Sequence, residues 1–229
     1  MKICWANTDS FDEADIIIVG IPDESKSDSL RKGTSEAPHK IRDISWIRDT
    51  YKRGNDFSRG LPYSGINRKI YDYGNIERSE VTKVIDKIVS KSKMPLSLGG
   101  DHSISTEIIK SVSKKHGPLS LVYFDAHPDF VSSVCGYYGS VFYDVLPFVD
   151  IKSSIQIGVR TPEQEEIDNI NKYGLSVITP FDIAKNGIMK TEETILNKIG
   201  KNTYISLDMD AIDPSYAPGV SVPVHPACF

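Results

Sequence analysis

Short apolar runs alternate with amphipathic stretches along most of this chain. Runs rich in β-branched residues predict strands that are buried on both faces. These predicted strands cover residues 14–21, 95–98, 119–124, 154–159, 175–178 and 203–207. Apolar side chains at helical spacing predict amphipathic helices. The predicted helices cover residues 80–90, with Ser79 as candidate N-cap, and residues 105–115, 163–173 and 191–199, and a loop leads into a short helix within residues 28–42.

This alternation of strands and helices determines the predicted fold class. Strands that alternate with helices form a parallel sheet covered by helices on both faces. No internal repeat and no low-complexity linker interrupts the pattern. We therefore predict an α/β fold, organised as a single domain over residues 1–229.

Composition and charge narrow the classes of function. Apolar residues make up 39% and charged residues 25% of the sequence, as in ordinary globular proteins. The formal net charge of −4 argues against a nucleic acid or an anionic membrane as partner. No apolar run is long enough for a membrane span or a secretory signal, and three widely spaced cysteines fit a reducing compartment. We expect a cytoplasmic protein.

Three of the predicted strands end in clusters of aspartate and histidine. The clusters are Gly-Gly-Asp-His-Ser at 99–103, Asp-Ala-His-Pro-Asp at 125–129 and Asp-Met-Asp-Ala-Ile-Asp-Pro at 208–214. In an open parallel sheet, ligands bind outside the carboxyl ends of the strands. The three clusters would therefore converge on one crevice.

The spacing and charge of these residues predict a site for two metal ions. Residues two apart on a strand point to the same face, so Asp208 and Asp210 would face one centre if the strand continues. Four crowded carboxylates repel each other, and two divalent cations would neutralise them. Oxygen and imidazole ligands without thiolate favour a hard ion such as Mn²⁺. The candidate metal ligands are His102, Asp125, His127, Asp129, Asp208 and Asp210.

Structural roles are the alternative for each of these residues taken singly. An aspartate at a strand end usually closes a turn or caps a helix. Asp213, which precedes Pro214, is expected to close a turn. Asp101 is expected to be structural or to orient His102. Three clusters in one chain favour the metal site over these separate roles.

The three motifs resemble the signatures of the ureohydrolase superfamily, which includes arginases and agmatinases. They lie at 99–103, 125–129 and 206–219, in the order that the family has. Residues 20–22, 31–38 and 158–160 also resemble the family, in its archaeal agmatinase-like form. The resemblance covers almost the whole chain.

The resemblance implies a three-layer α/β/α sandwich around a mostly parallel sheet and two Mn²⁺ ions. It implies hydrolysis of a guanidino group to urea and an amine, and a homo-oligomer, a trimer or a hexamer. His102, Asp125, Asp129 and Asp208 would hold one ion, and Asp125, His127, Asp208 and Asp210 the other. Asp129 would also accept a hydrogen bond from the attacking hydroxide, which makes it a candidate catalytic residue.

The substrate is predicted from one position. Arginases usually have an asparagine two residues after the second motif, where it helps to bind the substrate carboxylate, and this chain has Val131. Agmatine, which has no carboxylate and would give urea and putrescine, is therefore the expected substrate. Arginase, guanidinobutyrase and formimidoylglutamase activities remain alternatives.

The sequence departs from the family pattern at two places. Where the family usually has a His-Gly pair that shuttles protons, this chain has Tyr138-Gly139, and no histidine lies between 127 and 225. Tyr138 is thus a candidate catalytic residue, although a tyrosine with a pKa near 10 is a poorer acid-base group than histidine. A packed aromatic residue at 138, in a metal-binding homologue that has lost activity and serves as an oligomer subunit, is the alternative.

The second departure follows the third motif. Residues 217–224 follow the family, then residues 225–229 diverge and the sequence stops. We expect a chain that lacks the family's C-terminal strand and helix, with His225 in a tail and not a ligand.

Overall fold

The computed structural model describes residues 1–49 and 68–225 of the chain. Within these ranges there are seven strands and seven α-helices. The strands are β1 (Ile16–Gly20), β2 (Ile70–Asn75), β3 (Met94–Leu98), β4 (Ser120–Phe124), β5 (Ile155–Ile157), β6 (Ser176–Ile178) and β7 (Thr203–Leu207). The helices are α1 (Ala37–Asp49), α2 (Val81–Ser90), α3 (Ile104–His116), α4 (Val141–Asp144), α5 (Gln164–Tyr173), α6 (Pro180–Asn186) and α7 (Ile188–Lys198).

All the paired strands run parallel, which confirms the predicted parallel α/β fold. They form two ladders, in the orders β2-β1-β3 and β6-β5-β4-β7. β1 pairs with β2 and β3, and β4 pairs with β5 and β7. The single sheet expected from the sequence is thus divided into two hydrogen-bonded groups in the described residues.

The chain divides into two compact units, each with one ladder. Unit 1 comprises Met1–Glu24 and Gly33–Gly100, and unit 2 comprises Ser25–Lys32 and Asp101–Phe229. All six candidate metal ligands lie in unit 2, whereas both tryptophans, Trp5 and Trp46, lie in unit 1. The organisation of residues 1–229 as a single domain stays a prediction.

Unit 1 is held together by an apolar cluster and a buried ion pair. Ile3, Ile18 and Ile70 form the cluster. The guanidinium of Arg42 donates two hydrogen bonds of 2.8 Å to the carboxylate of Asp72, and both side chains are almost fully buried. The backbone N–H of Ile3 donates to the same carboxylate at 2.7 Å. Asp72 therefore ties the N-terminal segment and α1 to strand β2.

In unit 2, strand β4 is covered on both faces. Successive side chains of a strand point to opposite sides of the sheet, so Leu121 and Tyr123 pack into one core cluster and Val122 into another. The first cluster includes side chains of α3 and α4, such as Ile109 and Phe142. Ile157 of β5 belongs to the second cluster, against which Ile183 of α6 and Ile195 of α7 pack. Helices thus cover both faces of the ladder, as the predicted three-layer arrangement requires.

Three elements escaped the sequence analysis. In strand β2, Asp72 occupies a buried position, where its charge is neutralised by Arg42. A charged residue at a buried position interrupts the apolar alternation that would predict a strand. The short helix α4 follows a single turn of 3-10 helix. Helix α6 begins at a capping box, in which the side chain of Thr179 accepts from the N–H of Asp182. A buried ion pair within β2 and a capping box at the start of α6 therefore mark these two elements in place of apolar periodicity.

The predicted N-cap of α2 is wrong. Ser79 lies inside a 3-10 turn, Arg78–Glu80, that leads directly into α2. The capping box joins Glu77 and Glu80 instead. The extra turn satisfies the first backbone N–H groups one turn earlier than the apolar pattern indicates.

Candidate metal centre

The structure brings the six predicted side chains together at the carboxyl ends of β4 and β7. The Nδ1 atom of His102 lies 3.0 Å from a carboxylate oxygen of Asp125 and 3.2 Å from oxygens of Asp129 and Asp208. The Nδ1 atom of His127 lies 3.1 Å from an oxygen of Asp210 and 3.5 Å from one of Asp125. Asp125 therefore contacts both histidines.

These contacts define two groups of potential ligand atoms that share one residue. In the first group, one atom each of His102, Asp125 and Asp129 lies within 4.8 Å of the others. Asp125, His127 and Asp210 form the second group by the same measure. A shared carboxylate with oxygens toward both groups has the chemistry of a bridging ligand for two cations. The donor set of imidazole and carboxylate fits hard or borderline divalent ions.

The loop after β4 places the second motif. The N–H of Asp125 donates to the carbonyl of Ile157 on β5, and the N–H of His127 donates to the Asp125 carboxylate at 2.7 Å. Asp129 has a φ of 50°, a left-handed conformation that non-glycine residues seldom adopt. Gly158 has a φ of 101°, and a Cβ there would lie 3.1 Å from the carbonyl oxygen of Asp125. This close approach requires glycine at 158.

A turn, not a strand, places the third motif. The N–H of Asp208 donates to the carbonyl of Phe124, which continues the pairing with β4. Asp210 lies in a 3-10 turn over Met209–Ala211, and its N–H donates to the Asp208 carboxylate at 3.0 Å. Asp210 in turn accepts from the N–H of Ala126 at 3.1 Å. This turn brings both aspartates to their partners. The sequence analysis expected a continued strand to do so, and that explanation is wrong.

Arg160, which follows β5 in sequence, holds the same turn. Its guanidinium donates to the carbonyl oxygens of Asp210 at 2.6 Å and of Ala211 at 3.2 Å. It also donates to the carbonyls of Gly158 and Val224. Sequence reasoning noted this arginine only as part of a family motif, because bonds to backbone carbonyls leave no pattern in the sequence.

His102 is oriented by two residues that the sequence analysis did not identify. Its Nε2 atom lies 2.8 Å from the hydroxyl oxygen of Ser206 on β7. On its other side, the hydroxyl of Tyr123 lies 3.2 Å from Nδ1 and donates to Asp129 at 2.8 Å. With Nε2 bonded to Ser206, Nδ1 faces the carboxylates and is the nitrogen available to a metal.

The electrostatics of the metal-free site favour protonated histidines. Burial by itself would lower the pKa of His127, but Asp125 and Asp210 raise it to about 10. The same balance raises the pKa of His102 well above its ordinary value, since burial is outweighed by Asp125, Asp129 and Asp208. Each imidazolium thus neutralises part of the carboxylate charge, in the place where cations would do so.

The carboxylates respond to the same crowding. Burial and the neighbouring charge of Asp125 raise the pKa of Asp129 to about 6. Burial and the charge of Asp208 also raise the pKa of Asp125. For Asp208, burial is outweighed by the bond to His102, which lowers its pKa. Carboxylates this close together repel one another when ionised, so they require compensating positive charge from protons or from metal ions.

The candidate catalytic Tyr138 lies at the start of a 3-10 turn, Tyr138–Ser140. Burial raises the pKa of its phenol, and the charges of Asp28, Asp129 and Asp101 add to this rise. The phenol is therefore protonated at neutral pH. Its role in catalysis stays a prediction.

Helix α5 fixes the loop between Asp129 and Tyr138. The carboxylate of Glu165 accepts from the backbone N–H and the hydroxyl of both Ser132 and Ser133, at 2.6–3.0 Å. Glu166 accepts from the N–H of Phe130 at 3.0 Å. The amide of Asn169 donates to the carbonyl of Phe130 at 2.8 Å. The helix thus sets the position of the chain that leads away from the candidate ligands.

Two aspartates outside the cluster have structural contacts. Asp213 accepts from the N–H and the hydroxyl of Ser215, which confirms the predicted turn. Asp101 accepts from the N–H of Ser103 and from that of Lys26, both at 3.0 Å. It holds the segment before α3, while Ser206 and Tyr123 contact the ring of His102. His225 is exposed and does not belong to either ligand group.

Among the described residues, no helix combines the length and apolar character required to cross a bilayer.

The fold and the site together define a parallel α/β protein with a candidate two-ion centre of aspartates and histidines. Comparison with known proteins agrees with this class: a model of the Arginase family matches residues 14–226. The chain therefore belongs to the Arginase family, whose members are ureohydrolases that act on C–N bonds. The resemblance stated from the three motifs is confirmed.

Individual relatives differ in their named substrates. A mitochondrial guanidino acid hydrolase of Homo sapiens is 31% identical over 227 residues, and an agmatinase of Citrobacter koseri is 30% identical over 222 residues. These alignments cover 91% and 93% of this chain, but only 62% and 70% of the relatives. Among solved structures, the agmatine ureohydrolase of Thermoplasma volcanium matches with a TM-score of 0.81 at 32% identity, over 98% of this chain and 76% of that one.

Proposed function

We propose that this chain is a manganese-dependent ureohydrolase that converts agmatine and water to urea and putrescine. The proposal depends on one observation: two histidines and three aspartates from distant parts of the sequence form two ligand groups that share Asp125, and a carboxylate oxygen of Asp208 lies 3.2 Å from His102. Membership of the Arginase family supports the same reaction class.

The charge of the site supports two divalent ions. Its four carboxylates carry four negative charges when ionised, and two divalent ions would balance them. Asp125 and Asp129 are almost fully buried, where an unbalanced charge is costly. The donor set, which has oxygen and imidazole but no thiolate, supports Mn²⁺. When bound, two such ions would supply a hydroxide nucleophile from water near neutral pH.

The protein's own residues would then guide that reaction. We assign to Asp129 the task of accepting a hydrogen bond from the attacking water, because its carboxylate lies beside His102 in the first ligand group. The water oxygen would add to the guanidinium carbon, the bond to the substrate's alkyl nitrogen would break, and that nitrogen would leave as an amine. Tyr138, whose phenol is protonated at neutral pH, is the candidate to donate a proton to it.

Agmatine is the proposed substrate because the side chain at position 131, a valine, has no polar group that would bind a substrate carboxylate. Val131 is buried, with 8% of its surface exposed, and its N–H donates to the carbonyl of Gly139. The agmatinase of Citrobacter koseri supports this choice. The human relative, named for guanidino acids, makes 4-guanidinobutyrate the substrate to compare first.

A second candidate function is metal binding without turnover. The observation that favours it is the raised pKa of Tyr138, because a phenol that stays protonated does not accept protons at neutral pH as a histidine would. In that case the chain would act as a folded, metal-loaded subunit.

We further propose that the protein is cytoplasmic and acts on a small guanidino compound as a homo-oligomer, a trimer or a hexamer. Exposed apolar side chains on α7, such as Ile188, Met189 and Leu196, support association with other chains.

The decisive experiment measures urea release and metal content together. We expect the chain loaded with Mn²⁺ to release urea from agmatine faster than from arginine or 4-guanidinobutyrate. Asp208→Asn should lower this rate at least about 100-fold, because a direct ligand matters at least as much as the outer partners, whose loss costs about 10–100-fold. The matched control is Asp213→Asn, in the same motif, which keeps an acceptor for Ser215 and should retain the wild-type rate.

The possible outcomes separate the two candidate functions. Two bound ions without urea from any of the three compounds would support metal binding without turnover. Urea release from 4-guanidinobutyrate alone would make that compound the substrate in place of agmatine, and the reaction class would stay the same. A chain that binds no divalent ion would overturn both.

A further inference from the structure

Tyr123 is a buried polar residue inside the candidate metal centre. It lies on β4, two residues before Asp125, and its side chain has no exposed surface. Its ring stacks on the imidazole of His102, with centroids 4.6 Å apart and planes 5° from parallel. On another side it meets the ring of Phe142 edge to face at 5.7 Å. Close packing by these neighbours fixes the position of the phenol.

The hydroxyl of Tyr123 contacts two ligands of the same group. It donates to the carboxylate of Asp129 at 2.8 Å and lies 3.2 Å from Nδ1 of His102. Asp129 has a left-handed backbone conformation, so its side chain starts from an unusual direction. A donor held rigidly in the core selects one orientation of that carboxylate. Ring stacking limits the rotation of His102 in the same way.

The second ligand group is held by different means. Asp210 accepts from the N–H of Ala126, and the turn that carries it is bound by Arg160. The side chain of His127 is 26% exposed, compared with 8% for that of His102. Within the described parts of the chain, the hydrogen bonds and ring contacts of Tyr123 do not include His127 or Asp210. The packing around the two groups is therefore unequal.

We propose that Tyr123 is a positioning residue for the metal position formed by His102 and Asp129, and that its hydroxyl makes this position bind its ion more tightly. The inference rests on the metal centre of the proposed function. It adds a specific asymmetry: loss of the hydroxyl weakens the binding of one ion and leaves the binding of the other unchanged.

The test is a titration of the metal-free full-length chain with Mn²⁺, followed by calorimetry and by the electron paramagnetic resonance signal of free Mn²⁺. Wild type should bind two ions. Tyr123→Phe keeps the stacked ring and removes only the hydroxyl, so it should weaken one ion about 10–100-fold, the usual effect of losing an outer partner. The matched control is Tyr173→Phe, which alters a partly buried tyrosine packed on the same core cluster and should bind both ions like wild type.

Two further variants identify which ion is weakened. In an Asp210→Asn background, where only the first group stays complete, Tyr123→Phe should weaken the remaining ion by the same factor. In an Asp129→Asn background it should have no further effect, because the carboxylate that it positions is already changed. This is a double-mutant cycle, in which the coupling between Tyr123 and Asp129 is the measured quantity.

Each alternative result overturns the inference in a recognisable way. Unchanged affinity for both ions in Tyr123→Phe would show that the hydroxyl does not position a ligand. Equal weakening of both ions, with a lowered melting temperature, would show a general packing role. Wild type that binds no Mn²⁺ would overturn the metal centre itself, and with it the proposed function.

Discussion

His127 shows most directly how protons and metal ions compete for this site. In the metal-free protein its pKa is raised to about 10, because Asp125 and Asp210 outweigh the effect of burial. This histidine is therefore protonated at pH 7, and a metal ion that binds here would have to displace its proton. In the metal-free protein, the interaction of the protonated imidazole of His127 with the carboxylates stabilises the fold. This contribution is fully present below the ordinary histidine pKa of 6.5. That contribution is lost as the pH rises toward about 10.

Binding of Mn²⁺ should consequently release protons at pH 7, and affinity should rise with pH. Calorimetric titrations in two buffers with different ionisation enthalpies measure the number of protons released. His116→Asn, at an exposed position, is a control that should leave the number unchanged. Equal apparent enthalpies in both buffers would contradict the expectation.

At the residue scale, the sequence predicted which side chains meet but not how they meet. The motifs identified all six candidate ligands, because each cluster of aspartate and histidine follows the end of a predicted strand. Asp129, however, reaches the group through a left-handed backbone, and Asp210 through a 3-10 turn. Ser206 and Tyr123 were missed, since their contacts with His102 depend on tertiary packing that no local pattern records.

At the element scale, α5 acts as a support for the loop that follows the second motif. Glu165 in its first turn accepts four hydrogen bonds from Ser132 and Ser133, and these bonds lower its pKa to about 2. Because the pKa is lowered on folding, the stabilisation is present above the ordinary value of 4.5 and is lost as the pH falls toward about 2.

Glu165→Gln should therefore destabilise the protein at pH 7, and its difference from wild type should shrink between pH 4.5 and about 2. Guanidinium unfolding midpoints of both proteins across this range measure the difference. Glu193→Gln, at an exposed position on α7, should behave like wild type throughout. A difference that stays constant down to pH 2 would show that the charge of Glu165 is not responsible.

Elements with strong apolar periodicity were predicted to within a few residues. Helix α2 is of this kind, because its apolar side chains form one buried face, and strands β4 and β7 were found because each is a short run rich in apolar residues. Strand β2 and helix α6 were not, because a buried ion pair and a capping box define them. The hydrophobic pattern thus predicts elements that are held by apolar burial. It does not predict elements whose position is set by polar interactions.

At the scale of the whole molecule, the proposed metal binding would be linked to folding stability. All six candidate ligands come from unit 2, from segments more than 100 residues apart in sequence at their extremes, His102 and Asp210. One ion that binds the folded site would stabilise it by about 2.7 kcal/mol at a concentration 100-fold above Kd. For a chain of this length, that corresponds to a rise in melting temperature of about 5–10 °C.

We expect Mn²⁺ to produce this rise in unit 2, and a chelator to reverse it. Calorimetry of the full chain with and without Mn²⁺ measures it. Asp208→Asn should show a smaller rise, and Asp213→Asn the same rise as wild type. A melting temperature that does not respond to Mn²⁺ in any variant would exclude a preformed site.

The position of the tryptophans has a practical consequence. Trp5 and Trp46 are the only indoles of the chain, and both belong to unit 1, where the ring N–H of Trp46 donates to the carbonyl of Lys2. Intrinsic fluorescence excited at indole wavelengths therefore originates in unit 1, whereas the six candidate ligands belong to unit 2. Tyrosine absorbance, to which Tyr123 contributes from inside the cluster, is the optical signal that includes the candidate metal centre.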